Sequence, residues 1–207
     1  MYCAGKNYIA SLLEKKGLPV LDVDKLGHPV LESEKEKIFA RFGDDLKKDD
    51  GSLDRRLLGK RVFGDPEKLT ALEGIVHPPV NRITDEWIAA QKSPCVINAA
   101  LLHKSSAFER LDRIILVTAP WLVRFSRARK RDNLSIREVI KRFASQKGFN
   151  TQYLHFNNLT VKTSRINAEI YRMENPGFAG VFTAFFSNPK YEKKLEIQVD
   201  KFIEGMK

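Results

Sequence analysis

The chain has 207 residues, 43% of them hydrophobic, which is room for one sizeable domain or a core with smaller insertions. That much apolar material excludes disorder over the whole length, and the longest apolar piece, Phe178 to Phe186, is about half a membrane span. The formal charge of +10 calls for an anionic partner: nucleic acid, an acidic membrane surface or a phosphorylated small molecule.

No basic-then-apolar opening marks a signal peptide, and Cys3 and Cys95 supply neither a disulfide framework nor a metal site. They read as reduced thiols of a cytoplasmic protein. From Lys6 to Lys16, Ile9, Leu12 and Leu13 recur at helical spacing, and Gly17 stands at a C-cap position. Leu18 to Val23 reads as a short buried strand running into Asp24. The charged stretch Leu31 to Lys92 shows helical spacing, turn signals at Asp50-Gly51 and Asp65-Pro66, and a break at His77-Pro78-Pro79. It is too long for a simple crossover and reads as a helical insertion. Cys95 to Leu102 and Arg113 to Thr118 are the next strand-like runs, so a parallel sheet with crossover helices is expected.

Charge concentrates between residues 124 and 147. There Arg124, Arg127, Arg129, Lys130, Arg131, Arg137, Lys141, Arg142 and Lys147 face only Asp132 and Glu138, a net of seven positive charges. Ser135-Ile136-Arg137-Glu138 is a capping box, with Ile136, Val139, Ile140 and Phe143 at helical spacing. A folded basic helix pair with an apolar seam is expected.

Gly5-Lys6 leads straight into the first helix. In the phosphate-binding pattern G-x-x-x-x-G-K-[ST], glycines let backbone amides approach phosphates and the lysine neutralises charge. Met1, Tyr2, Cys3 and Ala4 fill the variable positions, so the first glycine and its strand would lie before Met1. The natural protein is accordingly expected to begin upstream. Asn7 occupies the place where Ser or Thr holds Mg2+; an amide oxygen can coordinate but is a poorer match. Ligands of open parallel sheets collect at strand carboxyl ends, where Lys6 and Asp24 are expected.

Gly17-Leu18-Pro19-Val20-Leu21-Asp22-Val23-Asp24 resembles a G-[IV]-P-V-[IL]-D-A-D segment of the dephospho-coenzyme A kinase family. Phe42-Gly43-Asp44-Asp45, then Asp50-Gly51-Ser52-Leu53-Asp54-Arg55, is similar to its F-G-x-x…D-G-x-L-[DN]-R stretch. Arg61-Val62-Phe63, Asp65-Pro66, Leu72-Glu73 and Ile75-Val76-His77-Pro78 continue in family order. Arg127, Arg131-Asp132, Leu134-Ser135 and Arg142-Phe143-Ala144-Ser145-Gln146 resemble its lid.

The resemblance implies an α/β P-loop kinase in three parts. Residues 1–28, 94–123 and 150–207 would form the nucleotide-binding core, 29–93 a helical substrate insertion, and 124–149 a helical lid. The reaction implied is transfer of the ATP γ-phosphoryl group to the ribose 3′-hydroxyl of dephospho-CoA, with ATP and Mg2+ required. Asp24 would accept the hydroxyl proton, and Lys6 would hold the β- and γ-phosphates. Gly5, Asn7 and Tyr8 would complete the phosphate loop, with Asn7 toward the metal. Arg127, Arg131 and Arg142 would close over the phosphates, Arg131 as a catalytic group. His28 and His77 would join Asp24 at the substrate, and Asn175 would border the adenine. Small-molecule partners alone are implied, with neither nucleic acid nor membrane, in a monomer or weak oligomer.

Three departures stand out. His28 replaces a family arginine; Asn98-Ala99-Ala100-Leu101-Leu102-His103-Lys104 lacks both carboxylates and the proline of D-x-P-L-L-x-E; and a polar stretch, 150–165, follows the lid. An inactive or weakly active relative, a kinase for another nucleotide-like substrate, and a basic nucleic-acid-binding protein stay open as alternatives.

Overall fold

The computed structural model describes residues 2–100, 102, 105–132, 135–144, 169–174 and 189–206. The chain divides into two compact units, Met1–Val20 with Glu109–Lys207, and Leu21–Phe108.

In the first unit, helix α1 (Lys6–Lys15) buries Ile9, Ala10, Leu12 and Leu13. This face packs on α8 (Pro189–Glu204), whose Leu195, Val199 and Phe202 are buried, and Lys16 pairs with Asp200 at 2.7 Å. Gly17 follows α1 at φ 91°, the left-handed stop that its sequence position implies. Strand β3 (Arg113–Thr118) pairs in parallel with β4 (Glu169–Glu174), in register from Arg113–Glu169 to Thr118–Glu174. Between them in sequence come α6 (Trp121–Asp132) and α7 (Ile136–Ala144). The capping box forms: Glu138 accepts from the Ser135 amide at 2.9 Å, and Ser135 Oγ accepts from the Glu138 amide at 3.3 Å. The apolar seam is narrower than its periodicity implies. Val123, Ala128 and Val139 are buried, but Ile136 and Ile140 are 51% and 55% exposed. Spacing marks a helix face; it does not supply a neighbour broad enough to cover it.

The second unit is mainly helical. Strand β1 (Val20–Asp22) pairs with β2 (Val96–Asn98). β1 is shorter than its apolar run because Val23 already starts helix α2 (Val23–Ser33). Helices α3 (Lys35–Phe42), α4 (Arg55–Val62) and α5 (Pro66–Ala89) follow. Ile38, Phe39, Leu46, Leu53, Leu58 and Val62 form the buried core, with Leu31, Leu72 and Ile75 against it. Asp54 caps α4 through the Arg56 and Leu57 amides, and Asp65 caps α5 with Pro66 in its first turn.

The break expected at His77-Pro78-Pro79 does not occur, for α5 runs through both prolines. Each proline removes one backbone donor, yet packing of α5 against α2, α3 and α4 holds the helix. At Gly43, φ is 113°, and a Cβ would stand 2.7 Å from Asp45 Oδ1 and 3.0 Å from Arg61 Nη1. Glycine leaves room for the Arg61 fork, which binds both Asp45 oxygens at 2.8 and 2.5 Å and also the Phe42 carbonyl. Among the described residues, no helix is long and apolar enough to cross a membrane.

Candidate active site

The phosphate-loop residues open α1. Gly5 is its N-cap at φ 102°, ψ 25°, a left-handed conformation that a side chain would strain. The Tyr8 and Ile9 amides donate to the Gly5 carbonyl at 3.0 and 3.2 Å, which starts the helix ladder. A helix N-terminus carries the positive end of the helix dipole, and an anion complements it. Lys6, half-buried, donates from Nζ to Asn7 Oδ1 at 2.8 Å.

All three candidate lid arginines converge on the loop just ahead of Gly5. Arg127 of α6 donates to the Ala4 carbonyl at 3.4 Å. Arg131 grips Asp132 with Nε at 2.7 Å and Nη2 at 3.0 Å. Arg142 of α7 donates to Asp132 Oδ2 at 3.2 Å and to the Tyr2 hydroxyl at 3.0 Å. The Tyr2 hydroxyl in turn donates to Asp132 Oδ2. Arg124 lies with its guanidinium 4.5 Å from the Phe143 ring centroid; it is buried, and its Nε has no hydrogen-bond partner among the described residues.

These charges set the local titration. Hydrogen bonds from Arg131, more than any other cause, hold the Asp132 carboxyl down at about 2. Asp132 in turn raises Arg131 above the ordinary guanidinium value. Burial raises the Tyr2 phenol and the Cys3 thiol.

Since the folded value of Asp132 lies below the unfolded one, its stabilising contribution is present above the usual carboxylate range. It is lost as pH falls toward about 2. Thermal melts of the wild type and Asp132→Asn should therefore differ at pH 7 and draw together near pH 2. A gap independent of pH would contradict this.

The second unit carries the acid. Asp24 lies in the first turn of α2, exposed, and its Oδ1 accepts from the Ala100 amide at 3.1 Å. His28 lies four residues on, hence on the same side of α2, and is exposed; His77 is half-buried in α5. Ala100 lies just past β2, and its amide donor does not depend on side-chain identity. Asn98 at the end of β2 is buried. Asn175, the adenine-side candidate, and the 150–165 stretch lie outside the described residues.

Tyr2, at a variable position of the loop, and Asp132 have no role in the sequence pattern, yet both stand at the centre of this cluster. The acid among so many arginines was the available signal, since an isolated carboxylate there must be paired.

The family model for dephospho-CoA kinase matches residues 2–162. A dephospho-CoA kinase from Wolinella succinogenes is 33% identical over 146 residues, spanning 69% of this chain and 72% of that one. One from Thermus thermophilus is 38% identical over 144 residues, spanning 69% and 70%. A crystal structure of a Thermus thermophilus protein superposes with TM-score 0.70 at 31% identity, over 97% of this chain and 93% of the other. The dephospho-CoA kinase from Campylobacter jejuni, at 22% identity and TM-score 0.61 over 98% and 94%, shares the fold. Parallel strands, a glycine-opened helix with lysine in its first turn, and basic helices reaching back to that loop define a P-loop kinase. The chain belongs to the dephospho-CoA kinase family.

Proposed function

We propose that this chain transfers the γ-phosphoryl group of ATP to the ribose 3′-hydroxyl of dephospho-CoA, giving coenzyme A. The observation that carries the reading is the convergence of Arg127, Arg131 and Arg142 on the loop that leads into Gly5-Lys6. Phosphoryl transfer asks the protein mainly for positioning and charge neutralisation, and this arrangement offers both.

Lys6 and the first-turn amides of α1 hold the β- and γ-phosphates, with Gly5, Asn7 and Tyr8 shaping the loop. Arg127, Arg131 and Arg142 grip phosphate oxygens through planar forks that stay charged. Asp24, oriented by the Ala100 amide, accepts the proton that leaves the 3′-hydroxyl. His28 and His77 contribute substrate contacts, and Asn175 the adenine border. In this reading residues 29–93 hold the pantetheine-bearing substrate, 124–149 act as the lid, and the rest forms the nucleotide core of a cytoplasmic monomer or weak oligomer.

Mg2+ would find one protein oxygen at this loop, Asn7 Oδ1, which accepts from Lys6 Nζ at 2.8 Å; that hydrogen bond would give way to the ion. Magnesium commonly takes one protein oxygen and completes its shell from phosphates and water. Asn7 would hold it, and when bound the ion would offset charge on the phosphates.

Acceptor competition tests the reading. With ATP as donor, kcat/KM for dephospho-CoA should exceed that for AMP and adenosine by about 100-fold or more. Preference for AMP or adenosine would instead make this a kinase of another nucleotide-like substrate.

A further inference from the structure

We propose that Tyr2 is a positioning residue that gathers the lid arginines at the phosphate loop; the assignment rests on the ATP-dependent function above and adds a residue to it. Tyr2 stands at a position where the loop pattern specifies no side chain. Its hydroxyl donates to Asp132 and accepts from Arg142 Nη1 at 3.0 Å. The guanidinium carbons of Arg131 and Arg142 lie 5.4 and 5.5 Å from its ring centroid, within cation–π reach. Phe143 meets the ring edge-on at 6.0 Å. One loop side chain thus touches two residues of α6 and two of α7.

The physical need is plain. Two guanidinium groups held side by side repel each other, and each long side chain loses rotamer freedom when fixed. The electron-rich face of the phenol and the Asp132 carboxylate offset both costs before a triphosphate arrives. Preheld arginines then bind phosphate with less ordering left to do. An aliphatic side chain at this place would provide neither the ring face nor the hydroxyl.

Tyr2→Phe keeps the ring and removes the hydroxyl, whereas Tyr2→Leu removes both. Each is compared with the wild type by titration with a non-hydrolysable ATP analogue, by steady-state kinetics and by thermal melting. In Tyr2→Leu the analogue should bind about tenfold more weakly and the KM for ATP should rise about as much. Tyr2→Phe should shift both by about threefold. The KM for dephospho-CoA should stay at its wild-type value, while the melting temperature falls modestly with the lost ring and hydroxyl contacts. Unchanged analogue affinity in both variants overturns the proposal. So does a lower melting temperature with both KM values rising together, which is the signature of a merely structural residue. A wild type that binds the analogue but does not phosphorylate dephospho-CoA refutes the functional reading alone, and the titration still decides on Tyr2.

Discussion

Asp24→Asn should lower kcat by about a thousandfold, with the KM for dephospho-CoA and the melting temperature near wild-type values. General-base catalysis contributes about 10²–10⁴ in rate, and an amide cannot take the hydroxyl proton. The substitution is nearly isosteric and keeps an oxygen that can accept from the Ala100 amide, so the link from the start of α2 to the segment after β2 survives. Asp24 is exposed in the first turn of its helix, where an aspartate also complements the helix dipole by a few tenths of a kcal/mol up to about 1. That is too little to unfold the unit. Rate loss without a stability loss therefore separates the base from a cap. Full activity in Asp24→Asn would remove the residue from the chemistry.

Lys6→Ala should cost roughly 10²–10³ in kcat/KM for ATP, the scale for deleting one group that stabilises charge on a transferring phosphoryl. The ammonium stands in the first turn of α1, where backbone amides and the helix dipole already favour an anion. Its charge adds to that field at the point where negative charge accumulates. Lys6→Arg should restore only part of the loss, because a planar fork replaces a compact ammonium in a half-buried place. Initial rates at varied ATP, together with analogue titration, measure both variants. Wild-type ATP kinetics in Lys6→Ala would contradict the assignment.

These residues differ in how openly the sequence displays them. Gly5-Lys6 could be read because a phosphate loop needs glycine at a left-handed turn and a cation at the helix start, and both needs restrict residue type. Asp24 stands out by its place at a strand carboxyl end, and the longer resemblance gives it a chemical role, since a lone aspartate after a strand is commonly a cap. The bounds of β3 matched its apolar run, and the capping box at Ser135 formed as spaced. The course of α5 through Pro78-Pro79 was hidden, because local chemistry argues for a break and only packing overrules it.

Several matched motif pieces build the second unit. Gly43, Asp45 and Arg61 form a clasp; Leu53 fills the core; Asp54 and Asp65 cap helices. Order and spacing reveal that such pieces belong together without telling a clasp from a catalyst. Tyr2 shows the converse. Its partners lie about 130 and 140 positions away, and no local pattern connects a loop residue to them.

The charge itself has become specific. Of the net positive charge in the 124–147 segment, Arg127, Arg131 and Arg142 lie at the phosphate loop, and Asp132 fixes two of them.

The most direct measurement is ³¹P NMR of the product formed from ATP and dephospho-CoA. ADP and a new phosphomonoester resonance on the ribose 3′-oxygen, coincident with that of authentic coenzyme A, are expected. ATP consumed without that resonance, or a phosphate placed on any other oxygen, would contradict the proposed transfer.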